Sequence, residues 1–179
     1  MFFVSDIYTT APSEFKTVLQ EETYRVLQDL HIPFERVDTD EAITMEDCVQ
    51  IDKKLDMKMV KTLFLCNRQQ TAFYLFITEG DKPFKSKEFS NSLGVARVSF
   101  APADSMEKML GTKIGAATVF SAMLDKDNAV QIVFDKDVAR EEWYGCSDGT
   151  TTGYMRIKTA QILHDFLPFA KHMPFIIEV

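Results

Sequence analysis

The chain has 179 residues, 46% of them hydrophobic and 26% charged, the proportions of one ordinary globular domain able to bury a core. Its net charge of −7 argues against a protein that coats nucleic acid non-specifically, and no apolar run approaches the roughly 18 residues of a membrane helix. Three cysteines without a CxxC or Cys/His spacing, and a start with neither a basic segment nor a long apolar run, point to a reduced cytoplasmic protein without a metal site or secretory signal.

Residues 13–30 read as an amphipathic helix capped by Ser13, with Phe15, Val18, Leu19, Val26, Leu27 and Leu30 near one face. Pro33 ends the connection and a short strand begins over 34–37. Thr44 with Asp47 three residues on resembles a capping box with a shortened acid, opening a second helix through about Leu55. The runs 60–65 and 72–77 are apolar and β-prone, separated by the polar stretch 67–70, and form a hairpin covered on both faces. Lys61 stands at its start. Such a lysine either buries its stem and leaves its ammonium in water, or aims at an anion.

A short helix over 86–93 ends at Gly94, a strand follows over 95–100, and a helix over 102–110 ends at Gly111. Gly111 to Gly115 is a glycine-bounded loop. The runs 117–124 and 129–134 flank the turn 125–128 as a second hairpin. Residues 145–154 then pack three glycines, an aspartate, a serine and three threonines between two apolar runs. Such a loop is either a plain turn or a binding loop whose backbone comes close to a ligand. A strand over 154–157, a helix from Thr159 to about Phe169 and a closing strand over 174–179 complete an α+β order in a single domain over 1–179.

Residues 52–113 carry eleven Lys and Arg against seven Asp and Glu, a basic middle in an acidic protein. That suits a local phosphate contact, or equally a solvated face. No Ser/His/Asp or Cys/His set stands out. Cys146 sits in the polar loop, but a thiolate needs a base or a helix N-terminus beside it, and the sequence names none. Neither glycine loop matches a P-loop or a dinucleotide fingerprint, and nothing in the sequence asks for a cofactor. Together, Lys61, the loop Gly111–Gly115 and the loop at 145–154 could enclose one pocket offering amides, hydroxyls and a cation.

The run 60–65 with 74–76 resembles the lysine-bearing strand pair of the YbaK/ProX family, free-standing relatives of the editing domain inserted in bacterial prolyl-tRNA synthetases. Thr44-Met45-Glu46-Asp47, Leu93-Gly94, Arg97 to Ala101, Leu110-Gly111, Gly111 to Gly115 with Thr118, Phe120 and Ser121, and Gly149 to Thr152 fit in the same order. The resemblance spans most of the chain from about Phe15. It implies a mixed, mostly antiparallel and partly barrel-like sheet surrounded by helices. It also implies hydrolysis of the ester on a mischarged tRNA, alanine on a proline tRNA leading, with prolyl-tRNA synthetase or another protein delivering the acceptor end.

On that likeness Lys61 would hold the phosphate or ribose end, and Asp148 with Thr150 would orient the water or the amine. Gly111, Ile114 and Gly115 would bind the ester carbonyl, with Ser121, Cys146, Gly149 and Thr152 completing the substrate contacts. Two departures stand out. The family's His-Pro pair is Gly145-Cys146 here, and Ile114 replaces the proline of the Gly-x-x-Pro-Gly loop. The first removes a side chain that shapes the amino-acid pocket; the second loosens a rigid turn. A non-catalytic tRNA- or small-ligand-binding module of the same fold is the alternative.

Overall fold

The central hairpin carries the sheet. In the computed structural model, which describes residues 1–179, β2 (Val60–Asn67) and β3 (Phe73–Glu79) pair antiparallel from Val60↔Glu79 to Cys66↔Phe73. Asn67 closes the turn: its side-chain oxygen accepts from the amides of Thr71 at 2.8 Å and Ala72 at 3.1 Å, and Gln70 takes φ 55°. β3 pairs parallel with β5 (Val130–Asp135), and β5 parallel with β8 (Phe175–Ile177). β4 (Val98–Phe100) pairs antiparallel with the far end of β2, giving the order β4-β2-β3-β5-β8. Alternation then places Phe64, Leu75 and Ile77 in the main core of 25 buried residues, and Leu65, Tyr74 and Phe76 in a second cluster beneath Phe89 of α3 (Ser86–Leu93).

A smaller antiparallel sheet, β1-β7-β6, combines β1 (Glu35–Asp38), β6 (Trp143–Ser147) and β7 (Gly153–Lys158). It meets the larger one through a single parallel bridge, Met59 to Gly145. The outer edge of β2 is therefore forked, one end joined to β4 and the other touching β6. The sheet is mixed as expected, but it splits into two sheets instead of curling into a partial barrel.

Local chemistry explains where the elements begin. α2 (Met45–Leu55) starts with the expected capping box: Thr44 Oγ1 accepts from Asp47 N at 3.1 Å, and Asp47 Oδ2 accepts from Thr44 N at 3.0 Å. α1 spans only Val18–Asp29, because Thr17 wins the cap over Ser13. Its hydroxyl accepts from Gln20 N at 3.0 Å, while Gln20 Oε1 accepts from Lys16 N at 2.7 Å. Residues 12–17 thus run outside the helix, and Phe15 and Val18 are exposed.

The second expected hairpin does not form. Residues Val119–Leu124 make a 3₁₀ helix capped by Thr118, and Ser121 Oγ donates to Leu110 O at 2.7 Å, satisfying a carbonyl at the end of α4 (Ala103–Leu110). α5 (Lys136–Ala139) follows β5, and the C-terminal helix runs from α6 (Thr159–Gln161) through a π-helical stretch (Ile162–Phe166) into α7 (Leu167–Phe169).

Candidate functional site

The loop between β6 and β7 is organised from within, around Asp148. This residue is 1% exposed. Its Oδ2 accepts from Tyr24 Oη at 2.8 Å and Gln20 Nε2 at 2.9 Å, and its Oδ1 accepts from Thr150 Oγ1 at 2.7 Å and Thr150 N at 3.2 Å. Gln20 and Tyr24, one turn apart, share the face of α1 that meets the loop. Burial pushes the Asp148 carboxyl above its usual range, and these donors pull against that shift. Gly153 is required here, since a Cβ on it would stand 2.2 Å from Asp148 Oδ2. Outside the loop, Thr39 N donates to Thr152 O at 2.9 Å and Ala42 N to Thr151 O at 3.1 Å. The result is a rigid rim.

Opposite this rim stands the loop between α4 and the 3₁₀ helix. Gly111 ends α4 in the left-handed region, and Gly115 takes φ 91° with Thr151 packed close by. The amides of Ile114 and Gly115 have no acceptor within the protein. Between loop and rim lies a polar cleft of about 620 Å³, bordered by Lys16, Glu41, Glu107 and Lys113 besides the two loops. Lys16 Nζ donates to Thr152 Oγ1 at 2.6 Å, and Thr112 Oγ1 is buried at the wall without a partner.

On the other side of Ile114 a second hollow of about 470 Å³ runs along the forked edge of β2. Its lining is mostly apolar: Met59 to Phe64, Phe100, Ala101, Met106, Ile114, Gly115 and Tyr154 among others. Lys61 borders this groove, but its ammonium donates to the Lys82 carbonyl. Pairing with Thr78 sets Lys61 on the sheet face of Leu63 and Phe76, away from Phe64 and the glycine loops. One loop, residues 111–117, thus separates a polar cleft from an apolar groove.

The structure brings Gly111, Ile114, Gly149, Thr150 and Thr152 to the polar cleft, and Lys61, Ile114 and Gly115 to the groove. Three expected site residues lie elsewhere. Asp148 is sealed beneath the rim, with its acceptors already engaged. Ser121 is fully buried and spent on Leu110. Cys146 is 2% exposed within the main core, where burial pushes its thiol well above the ordinary value.

Packing leaves no room for a side chain at Gly145. A Cβ there would meet Met57 Sδ at 2.5 Å and Lys58 O at 3.0 Å, so the chain entering β2 fills the space a side chain would take. Lys16 and Thr17 escape a sequence reading because the extended stretch before α1 reaches the cleft only in three dimensions, as do Glu41 after β1 and Glu107 on α4; the Thr17–Gln20 cap was the available signal for the first two. No group of three or more His, Cys, Asp or Glu side chains gathers as a metal centre would. No helix is long and apolar enough to cross a membrane.

A family profile described as aminoacyl-tRNA editing domain matches residues 39–164, a span holding both loops and β2 but not Lys16, Gln20 or Tyr24. The prolyl-tRNA editing protein ProX of Acetoanaerobium sticklandii is 30% identical over 112 residues, covering 63% of this chain and 68% of that protein. A solved candidate trans-editing enzyme for prolyl tRNA synthetase superposes with a TM-score of 0.64 at 13% identity, over 92% of this chain and 99% of that one. A scaffold protein from epitope backbone grafting by computational design gives 0.65 at 12% identity, over 92% and 99%. At these identities the two structures speak for the fold.

Proposed function

The chain belongs to the aminoacyl-tRNA editing domain family, and on that premise we propose that it hydrolyses the ester of mischarged tRNA in trans. The observation that carries this reading is the loop 111–117 standing between a polar cleft and an apolar groove. A tRNA acceptor end needs those two environments side by side. The sugar and phosphate suit the cleft with Lys16 and the threonines, and the aminoacyl side chain suits the groove.

Water adds to the ester carbonyl carbon, the bond to the ribose oxygen breaks, and the products are the free amino acid and an intact tRNA hydroxyl. The amides of Ile114 and Gly115 are free of protein acceptors, and in this reading they donate to the oxyanion. No side-chain base faces the groove from the expected set, since Asp148 and Cys146 are buried. The ribose hydroxyl beside the ester takes that part, and an already activated ester needs little beyond positioning.

Alanine on a proline tRNA is the leading substrate. A synthetase pocket built for proline rejects a smaller apolar residue poorly, at about 1–3 kcal/mol per missing methylene. Prolyl-tRNA synthetase, or another protein that holds the tRNA, is the proposed delivery partner. Deacylation of a panel of mischarged tRNAs tests the reading: turnover of alanyl-tRNA(Pro) is expected, and no turnover of any member overturns it. The sealed Asp148 and filled Gly145 position favour one second reading, a module that binds the acceptor end without hydrolysis. Saturable binding of uncleaved aminoacyl-tRNA would distinguish it.

A further inference from the structure

The outer edge of β2 is occupied at both ends and open between them. Odd residues of β2 turn their backbone groups toward β3, as Asn67 N donating to Ala72 O at 3.1 Å shows. Even residues turn outward, and Phe64 O accepts from Ala101 N at 2.9 Å. At the other end Met59 bridges Gly145, and β4 pairs only with Leu65 to Asn67. Thr62 falls between. By that alternation its N–H and C=O point out of the β2–β3 ladder on the groove side, where neither the β4 pairing nor the Met59–Gly145 bridge reaches Thr62. Thr62 is half-buried, and an edge left open between two paired segments is a template for another strand-like group.

We propose that the Thr62 backbone reads the amino-acid part of the substrate, its C=O accepting from the α-ammonium and its N–H joining the Ile114 and Gly115 amides as a donor to the ester carbonyl oxygen. Two residues facing each other in an antiparallel ladder exchange just such a pair of bonds. An aminoacyl ester carries a donor nitrogen and an acceptor carbonyl on one Cα, so it presents itself as a strand one residue long. The window admits no more, because Gly145 and Ala101 close the edge on either side. Antiparallel docking sets the substrate side chain on the face of Thr62, toward Phe64, Ala101 and Met106. The enzyme therefore requires a free α-amino group and leaves N-blocked or peptidyl esters alone. This rests on the deacylase reading above and adds how the substrate is recognised.

The test compares the full-length protein on alanyl-, N-acetylalanyl- and lactyl-tRNA(Pro), each rate normalised to uncatalysed hydrolysis. Losing the ammonium contact should slow the two analogues by about tenfold or more. Thr62→Pro removes the outward N–H and no ladder bond, so it is compatible with an edge position. It should fold, by circular dichroism, and lose alanyl-tRNA hydrolysis by a similar factor. Equal normalised rates on all three esters overturn the inference alone, as does a folded Thr62→Pro protein at full rate. If that variant does not fold, the wild-type comparison still decides. No turnover of any aminoacyl ester overturns the deacylase reading and this inference with it.

Discussion

The Tyr24 hydroxyl donates to Asp148 Oδ2 at 2.8 Å across 124 residues of sequence, with both groups closed to solvent. Removing that donor leaves a buried carboxylate one partner short. Tyr24→Phe should cost about 2 kcal/mol, the worth of a hydrogen bond to a charged group, and Asp148→Ala more, since it strands Gln20, Tyr24 and Thr150 together. Urea unfolding measures both. A stability within 0.5 kcal/mol of wild type for Asp148→Ala, taken as about the scatter of neutral surface changes, would contradict the structural role.

What the sequence discloses and what it hides divide along the range of the interactions. The Thr44–Asp47 capping box, the 60–77 hairpin and the glycine ends of α3 and α4 are local, and each forms as read. The cap of α1 is Thr17 and not the expected Ser13, because Gln20 bonds back to Thr17 and Lys16 at the first turn. Asp148 reads as a catalytic carboxylate in a polar loop, because its donors Gln20 and Tyr24 lie on a distant helix. Lys61 sits at the predicted strand start, but the alternation that turns its ammonium to Lys82 depends on which face each cluster covers. Residues 145–147, read as the start of the polar loop 145–154, belong to β6, held by β7 on one side and Met59 on the other.

Gly145 should resist any side chain while Met57 and Lys58 lie against it. Gly145→Ala forces its new methyl onto Met57 Sδ and the Lys58 carbonyl, and should cost about 1–3 kcal/mol. Met57→Ala opens half of that space, so the double variant should recover part of the loss. A thermodynamic cycle checks it: coupling near zero would mean that Met57 is not the obstacle.

Asp52 sets a pH dependence. Its carboxyl, pushed up to about 6 by burial against an ordinary 3.8, accepts from Met59 N at 3.0 Å where the chain enters β2. A carboxyl raised on folding contributes stability that is complete below about 3.8 and lost as pH rises through about 6. Asp52→Asn keeps the acceptor and removes the charge. It should be more stable than wild type above pH 6, by about 1 kcal/mol after allowance for solvent screening, with the gap closing toward pH 4. Melting temperatures of both proteins across that range check it; a gap that widens as pH falls would reverse the assignment.

Lys16 and Lys61 are the two candidates for the proposed phosphate contact, and salt separates them. Lys16 is exposed at the polar cleft with its ammonium on Thr152, whereas the Lys61 ammonium is engaged by the Lys82 carbonyl. An ammonium on a phosphate releases a counterion when it binds, so Lys16→Ala should weaken tRNA binding, lower the slope of log affinity against log salt by about 1 and leave kcat nearly unchanged. Lys61→Ala loosens the strand beside the Thr62 window and frees the Lys82 carbonyl. It should lower kcat and melting temperature while the salt slope stays at the wild-type value. If instead Lys61→Ala lowers the slope and Lys16→Ala does not, Lys61 swings out of its internal bond to meet the phosphate, and the cleft and groove exchange their parts.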